Sequence, residues 1–139
     1  MKTQLLQEII ARFKSVKLAV VGDFCLDAYW FVDESKSEIS VETGHSTRPV
    51  RHQQYSLGGA GNVTNNLAAM GVNDIRAFGV IGPDPFGPVM VNLMKKSGIN
   101  TDNILIQQKK WATHVYIKPY IDNSEENRID FGNFNKLQK

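Results

Sequence analysis

The sequence predicts an α/β fold, half of a doubly wound parallel sheet with a small β-layer drawn from two separate segments. Three observations predict it. In Lys17-Leu18-Ala19-Val20-Val21-Gly22-Asp23, four consecutive apolar residues run into a Gly-Asp pair, which marks a strand buried on both faces of a parallel sheet. Between Gly58 and Ile106, helical and strand periodicities alternate, the order that right-handed crossovers require. Residues 114–121 then alternate strictly, with Val115, Ile117 and Ile121 on one side and His114, Tyr116, Lys118 and Tyr120 on the other, the pattern of a half-buried strand.

In chain order, Leu5, Leu6, Ile9, Ile10, Phe13 and Val16 recur at helical spacing and predict a helix over 3–15 with one buried face. The Lys17–Asp23 strand follows. Residues 28–57 are polar and β-rich in places and are expected outside the main core. Gly58-Gly59-Ala60-Gly61-Asn62 opens a helix with Val63, Leu67 and Met70 on one face, and Gly71 stops it. Residues 75–82 form the next strand. Asp84-Pro85 supplies an N-cap and a first-turn proline for a helix carrying Phe86, Val89, Met90, Leu93 and Met94, which ends at Gly98. Ile104–Ile106 is a short third strand. Pro119 cannot donate to a ladder, so the 114–121 strand is expected at an edge or in a two-stranded layer. Asn127–Phe131 is its antiparallel partner beyond an Asp122-Asn123-Ser124 turn.

Composition narrows the function. The 139 residues are 42% apolar and 22% charged, which fits one globular domain, or part of a larger one, rather than a disordered chain. Lys plus Arg number 16 against 14 Asp plus Glu, and neither half is a charged arm, so neither a nucleic-acid nor a membrane partner is expected. No apolar run approaches a membrane span. The single cysteine, Cys25, excludes an intrachain disulfide. The N-terminal segment reads as an amphipathic helix rather than a secretory leader, so a cytoplasmic location is expected, and the Asn62-Val63-Thr64 sequon is accidental.

Two places carry chemistry. Several glycines before a helix let a backbone approach a ligand, and Asn62 both donates and accepts; the other reading is a plain loop-to-helix turn. A dinucleotide fingerprint fails because Thr64 stands where Gly or Ala is required, and the chain has no P-loop. Asp23 and Asp27 follow the first core strand, where open parallel sheets bind ligands. Asp27 there either accepts hydrogen bonds from two sugar hydroxyls or caps a turn.

These residues carry a resemblance. Gly22-Asp23-Phe24-Cys25-Leu26-Asp27, Gly58-Gly59-Ala60-Gly61-Asn62 and Gly79-Val80-Ile81-Gly82-Pro83-Asp84-Pro85-Phe86-Gly87 resemble the N-terminal part of the PfkB (ribokinase-like) carbohydrate kinase family. Asp27-Ala28-Tyr29-Trp30-Phe31, Ile39-Ser40-Val41-Glu42 and Asn127-Arg128-Ile129-Asp130-Phe131 are similar to its D-glycero-β-D-manno-heptose-7-phosphate kinase branch, the kinase domain of ADP-heptose synthases. The resemblance implies that Asp27 holds sugar hydroxyls and that Gly58, Gly59 and Asn62 floor the pocket. It implies a Rossmann-type parallel sheet, with core segments at about 1–27 and 58–108 of a partial kinase domain spanning 1–139, and a β-lid from about 28–57 and 111–131 that covers the sugar and builds a homodimer. The first glycine signature is matched at Gly58, Gly59, Ala60, Asn62, Thr64 and Gly71, with its closing glycine one residue late at Gly82. ATP and Mg2+ are implied as cofactors. The second signature, a Gly-Ala-Gly-Asp stretch with the general base and anion hole, has no counterpart in these residues, so the nucleotide side is expected beyond residue 139 and the isolated chain is expected to be inactive, as a truncated or split product.

Arg128 either meets an anionic sugar phosphate or pairs with Glu125 or Glu126. His45, His52 and His114 lack metal-ligand spacing, Cys25 reads as a structural thiol, and Lys109-Lys110 as a solvated turn. The function expected is the sugar-binding and lid portion of a kinase that phosphorylates a sugar or sugar-phosphate hydroxyl. A non-catalytic sugar-binding or dimerisation module is the alternative, and an ordinary Rossmann oxidoreductase is disfavoured by the failed fingerprint.

Overall fold

The computed structural model describes residues 2–138, so residues 1 and 139 of the expected domain lie outside it. Two sheets share one core, so residues 28–57, expected outside it, contribute Ala28 and Leu57 to it because their strands pair directly over the helices. The first is parallel and three-stranded, in the order β1-β4-β5, from β1 (Lys17–Val21), β4 (Asp74–Ile81) and β5 (Asn100–Ile106). The second is five-stranded: β3 (Val50–Gly58), β2 (Phe24–Val32), β6 (His114–Ile121), β7 (Ser124–Glu125), and β8 (Ile129–Phe131), which also pairs with β6. Helices α2 (Gly59–Ala69) and α3 (Phe86–Lys96) bring the sheets together. The core joins Phe24, Leu26, Ala28, Val115 and Ile117 of the second sheet to Ile75, Ala77 and Ile81 of the first and to Met90 and Met94 of α3. The α/β class and the parallel strands are as the sequence predicts.

Four local expectations are corrected. Helix α1 (Lys2–Arg12) forms, but its apolar stripe is not buried: Leu5, Leu6, Ile9 and Ile10 are exposed, because among the described residues no strand or other α-helix lies closely over it. Strand β1 is likewise not buried on both faces. It is an edge strand whose Leu18 and Val20 face the core, while Val21 is 78% exposed on the face that α2 and α3 do not cover. On α2 the buried positions are Gly61 and Thr64; of the expected face Leu67 packs against the core, while Val63 and Met70, just past the helix end, are exposed, because small residues let the helix lie close to β2 and β3. Strand β6 is interior, not an edge. Pro119 is tolerated because Glu126, beside β7, donates its N–H to the Pro119 carbonyl and needs no N–H in return.

The punctuation holds. Gly71 ends α2 in the left-handed region at φ +97°, and the Asp84 carboxylate caps α3, accepting from Phe86 N–H at 3.0 Å and Gly87 N–H at 3.3 Å. Its other oxygen accepts from Thr113 N–H at 2.7 Å, which fixes the start of β6 against the end of β4. Asp122 and Asn123, both at positive φ, turn β6 into β7.

Candidate functional site

Register decides which side chains meet, since residues paired across neighbouring strands project to the same face. Asp27 pairs with Ser56 on β3 and with Tyr116 on β6, and Tyr116 pairs with Asp130 on β8. Tyr29 pairs with Gln54 and Lys118. These residues therefore form two polar rows on the face opposite Leu26, Ala28, Val115 and Ile117. Strand β2 begins at Phe24, so Asp27 stands within a strand of the second sheet and not in a turn after β1. That removes the turn-capping reading.

The floor beside Asp27 is glycine by necessity. A Cβ on Gly58 would lie 2.7 Å from Cys25 Sγ and 2.8 Å from Asp27 Oδ2, so the carboxylate overlies bare backbone. Gly59 adopts φ +52°, and a Cβ there would lie 2.6 Å from the Asp23 carbonyl oxygen. That carbonyl accepts the Ala60 N–H at 2.9 Å, which stitches the β1–β2 corner to the start of α2. Asp23 thus contributes its backbone. Asn62 lies exposed on the first turn of α2, and among the described residues no hydrogen bond joins its side chain to Asp27.

Two cations stand over the rows. Lys118 Nζ is 2.9 Å from Asp27 Oδ1 and 4.9 Å from the centroid of the Tyr29 ring. The hydrogen bond to Asp27 raises the Lys118 pKa above the usual lysine range. The Arg128 guanidinium lies 4.4 Å over the Tyr116 ring, which brings it to the face that carries Asp27. It pairs with neither Glu125 nor Glu126. Asp130, two residues on, takes it bidentately at 2.6 and 2.8 Å, while Glu125 accepts from the Tyr120 hydroxyl at 2.8 Å. That contact with Asp130 raises the Arg128 pKa and lowers that of Asp130.

Cys25 is buried beside Gly58, and burial pushes its thiol up to about 11, with the Asp27 charge adding to the rise. Since the thiolate is the nucleophile, alkylation by iodoacetamide near pH 8 is expected to run at least about tenfold slower than for a free thiol; alkylation at the free-thiol rate, followed by mass spectrometry, would contradict the environment described. His52 stacks on Phe31, and His114 contacts Asn135 and the edge of Trp111. Among the described residues no group of three or more His, Cys, Asp or Glu is placed to hold a metal ion.

Sequence reasoning missed Lys118. The strict alternation places it on the polar side of its strand, but only the β2–β6 register sets it beside Asp27. A separate cavity of about 450 Å³ lies at the far end of this sheet, lined by Phe31, Asp33, Arg51, Tyr120 and Asp122 among others. None of the expected site residues lines it.

A family model described as pfkB family carbohydrate kinase matches residues 15–131. The chain belongs to the pfkB carbohydrate kinase family. Among curated relatives of this pfkB chain, the bifunctional protein HldE of Desulfatibacillum aliphaticivorans is 34% identical over 104 residues, covering 75% of this chain and 21% of that protein. The D-beta-D-heptose 7-phosphate kinase of Bordetella bronchiseptica is 31% identical over 120 residues, covering 86% of this chain and 37% of that one. The chain thus spans between about a fifth and two fifths of these relatives. Ribokinase from Thermotoga maritima superposes with a TM-score of 0.59 at 20% identity, over 84% of this chain and 36% of that one. A carbohydrate kinase from Agrobacterium tumefaciens gives 0.63 at 17%, over 83% and 35%. These structural likenesses establish a shared ribokinase-like fold.

Proposed function

We propose that this pfkB chain is the sugar-binding and lid portion of an ATP-dependent kinase acting on a sugar phosphate of the heptose 7-phosphate type. One observation carries the reading. The Asp27 carboxylate presents Oδ2 over the bare backbone of Gly58, on a sheet face that also holds Lys118 and Arg128. A carboxylate oxygen without a donor in the described chain is suited to hydroxyl donors, and flanking cations are suited to an anionic substituent. In this reading Asp27 and Asn62 hold hydroxyls, Gly58 and Gly59 floor the pocket beneath Asp27, and Arg128 turns from Asp130 toward the phosphate. The name of the Bordetella relative supports the substrate class.

Phosphoryl transfer is mostly positioning and electrostatic stabilisation of the transferred group. The residues here supply the sugar side, fixing the acceptor and shielding it beneath the five-stranded sheet. ATP, which a sugar kinase of this fold from Pyrococcus horikoshii holds in its solved complex, and Mg2+ belong to the other side. The donor set described above does not fit a metal. Equilibrium dialysis of the purified chain tests the reading: the heptose 7-phosphate is expected to bind, without ATP-dependent phosphorylation. Failure of the sugar phosphate to bind, or measurable turnover, would contradict it.

The reading includes a cytoplasmic homodimer built through the lid. Val115 and Ile117 cannot form that contact, since both are buried within the chain. The exposed Ile129, Phe131 and Phe134 at the β8 end of the lid remain for it. Light scattering at tens of micromolar is expected to give a dimer, and a monodisperse monomer would overturn the assembly.

A further inference from the structure

Beyond its charge on the sheet face Lys118 has no part in the roles assigned above, yet among the described residues it is the one side chain that donates to the carboxylate of Asp27. Exposed ion pairs of this kind add little to stability. Here both side chains are only 20% exposed, and the pair is asymmetric. Oδ1 is held by Nζ at 2.9 Å. Oδ2 overlies Gly58, where a Cβ would lie at 2.8 Å, and among the described residues it has no donor. The terminal torsion of an aspartate is broad, so the lysine contact fixes the orientation of the carboxylate, with one oxygen on Nζ and the other against Gly58. Lys118 is itself held. Its ammonium sits 4.9 Å from the Tyr29 ring, and Tyr29 in turn packs against Tyr120 with centroids 6.2 Å apart.

We propose that Lys118 is a positioning residue of the sugar site, holding Asp27 by Oδ1 so that Oδ2, seated against Gly58 and without a donor among the described residues, is left to receive ligand hydroxyls. The proposal rests on the reading of Asp27 as the hydroxyl-binding group. It goes beyond that reading by assigning the orientation of the carboxylate to a residue on a different strand, 91 positions along the chain.

A double-mutant cycle separates positioning from a general structural role. The wild-type chain, Lys118→Met, Lys118→Arg, Asp27→Asn and the Asp27→Asn/Lys118→Met double variant would be titrated calorimetrically with D-glycero-D-manno-heptose 7-phosphate. Lys118→Met is expected to weaken binding about tenfold, as loss of a hydrogen bond to a charged group does. Lys118→Arg is expected to stay within about threefold of wild type, because it keeps a cationic donor. In the Asp27→Asn background, Lys118→Met is expected to add no further loss. Equal losses in both backgrounds, wild-type affinity in Lys118→Met, or no rescue by arginine would each overturn the proposal. If circular dichroism shows that Lys118→Met does not fold, Lys118→Gln takes its place in the same cycle with the same expected outcomes. Failure of the wild-type chain to bind, or wild-type affinity in Asp27→Asn, would instead overturn the reading of Asp27, and the proposal with it.

Discussion

Gly59→Ala is expected to destabilise the chain by about 2–4 kcal/mol, read as a shift in urea midpoint at unchanged slope. Two effects add. Gly59 sits at φ +52°, and placing a Cβ in the left-handed region costs about 1–2 kcal/mol. That Cβ would also lie 2.6 Å from the Asp23 carbonyl oxygen, a backbone atom that cannot swing aside. Relieving the contact moves the start of α2 and breaks the 2.9 Å bond from Ala60 N–H to Asp23. Gly71 and Gly98 are internal controls, at φ +97° and +76° with nothing within 4 Å of where an alanine Cβ would lie. Alanine there should show the backbone cost alone, about 1–2 kcal/mol. Equal losses at Gly59 and Gly71 would show that the close approach to Asp23 contributes nothing.

Asp27→Ala is expected to weaken binding of the heptose 7-phosphate by about 1–3 kcal/mol, roughly 5- to 150-fold, because ligand hydroxyls and the Lys118 ammonium are both left without their acceptor. The same change in a full-length relative should leave nucleotide affinity nearly intact. Asn62→Ala is expected to act in the same direction with a smaller effect, since its side chain is exposed. Calorimetry provides the check. Unchanged sugar affinity in both variants would remove these residues from the site.

Much of this arrangement is legible in the chain because it is local. The Lys17–Asp23 run, the glycines at 58–61, the Asp84-Pro85 helix start and the alternation of 114–121 each encode their own element. What the sequence hides is non-local. The exposure of α1 and of Val21 depends on which elements lie over them, and apolar periodicity reports a face, not its partner. Pro119 argues for an edge, yet β6 is interior because one carbonyl bond to Glu126 suffices at that pair. Arg128 is drawn by proximity in sequence toward Glu125 and Glu126, but strand alternation places Asp130 on its side instead. Lys118 meets Asp27 only through the parallel pairing of β2 with β6, strands about ninety residues apart in sequence.

The contact on which the proposed function turns is that of ligand hydroxyls with Asp27 above Gly58. Backbone amide shifts recorded by NMR while the isotopically labelled chain is titrated with D-glycero-D-manno-heptose 7-phosphate test it most directly. Saturable shifts are predicted at Asp27, Gly58, Gly59, Asn62 and Lys118, with Asp33, Arg51 and Asp122 around the far cavity unmoved. No saturable shift, or shifts gathered at Asp33, Arg51 and Asp122, would contradict it.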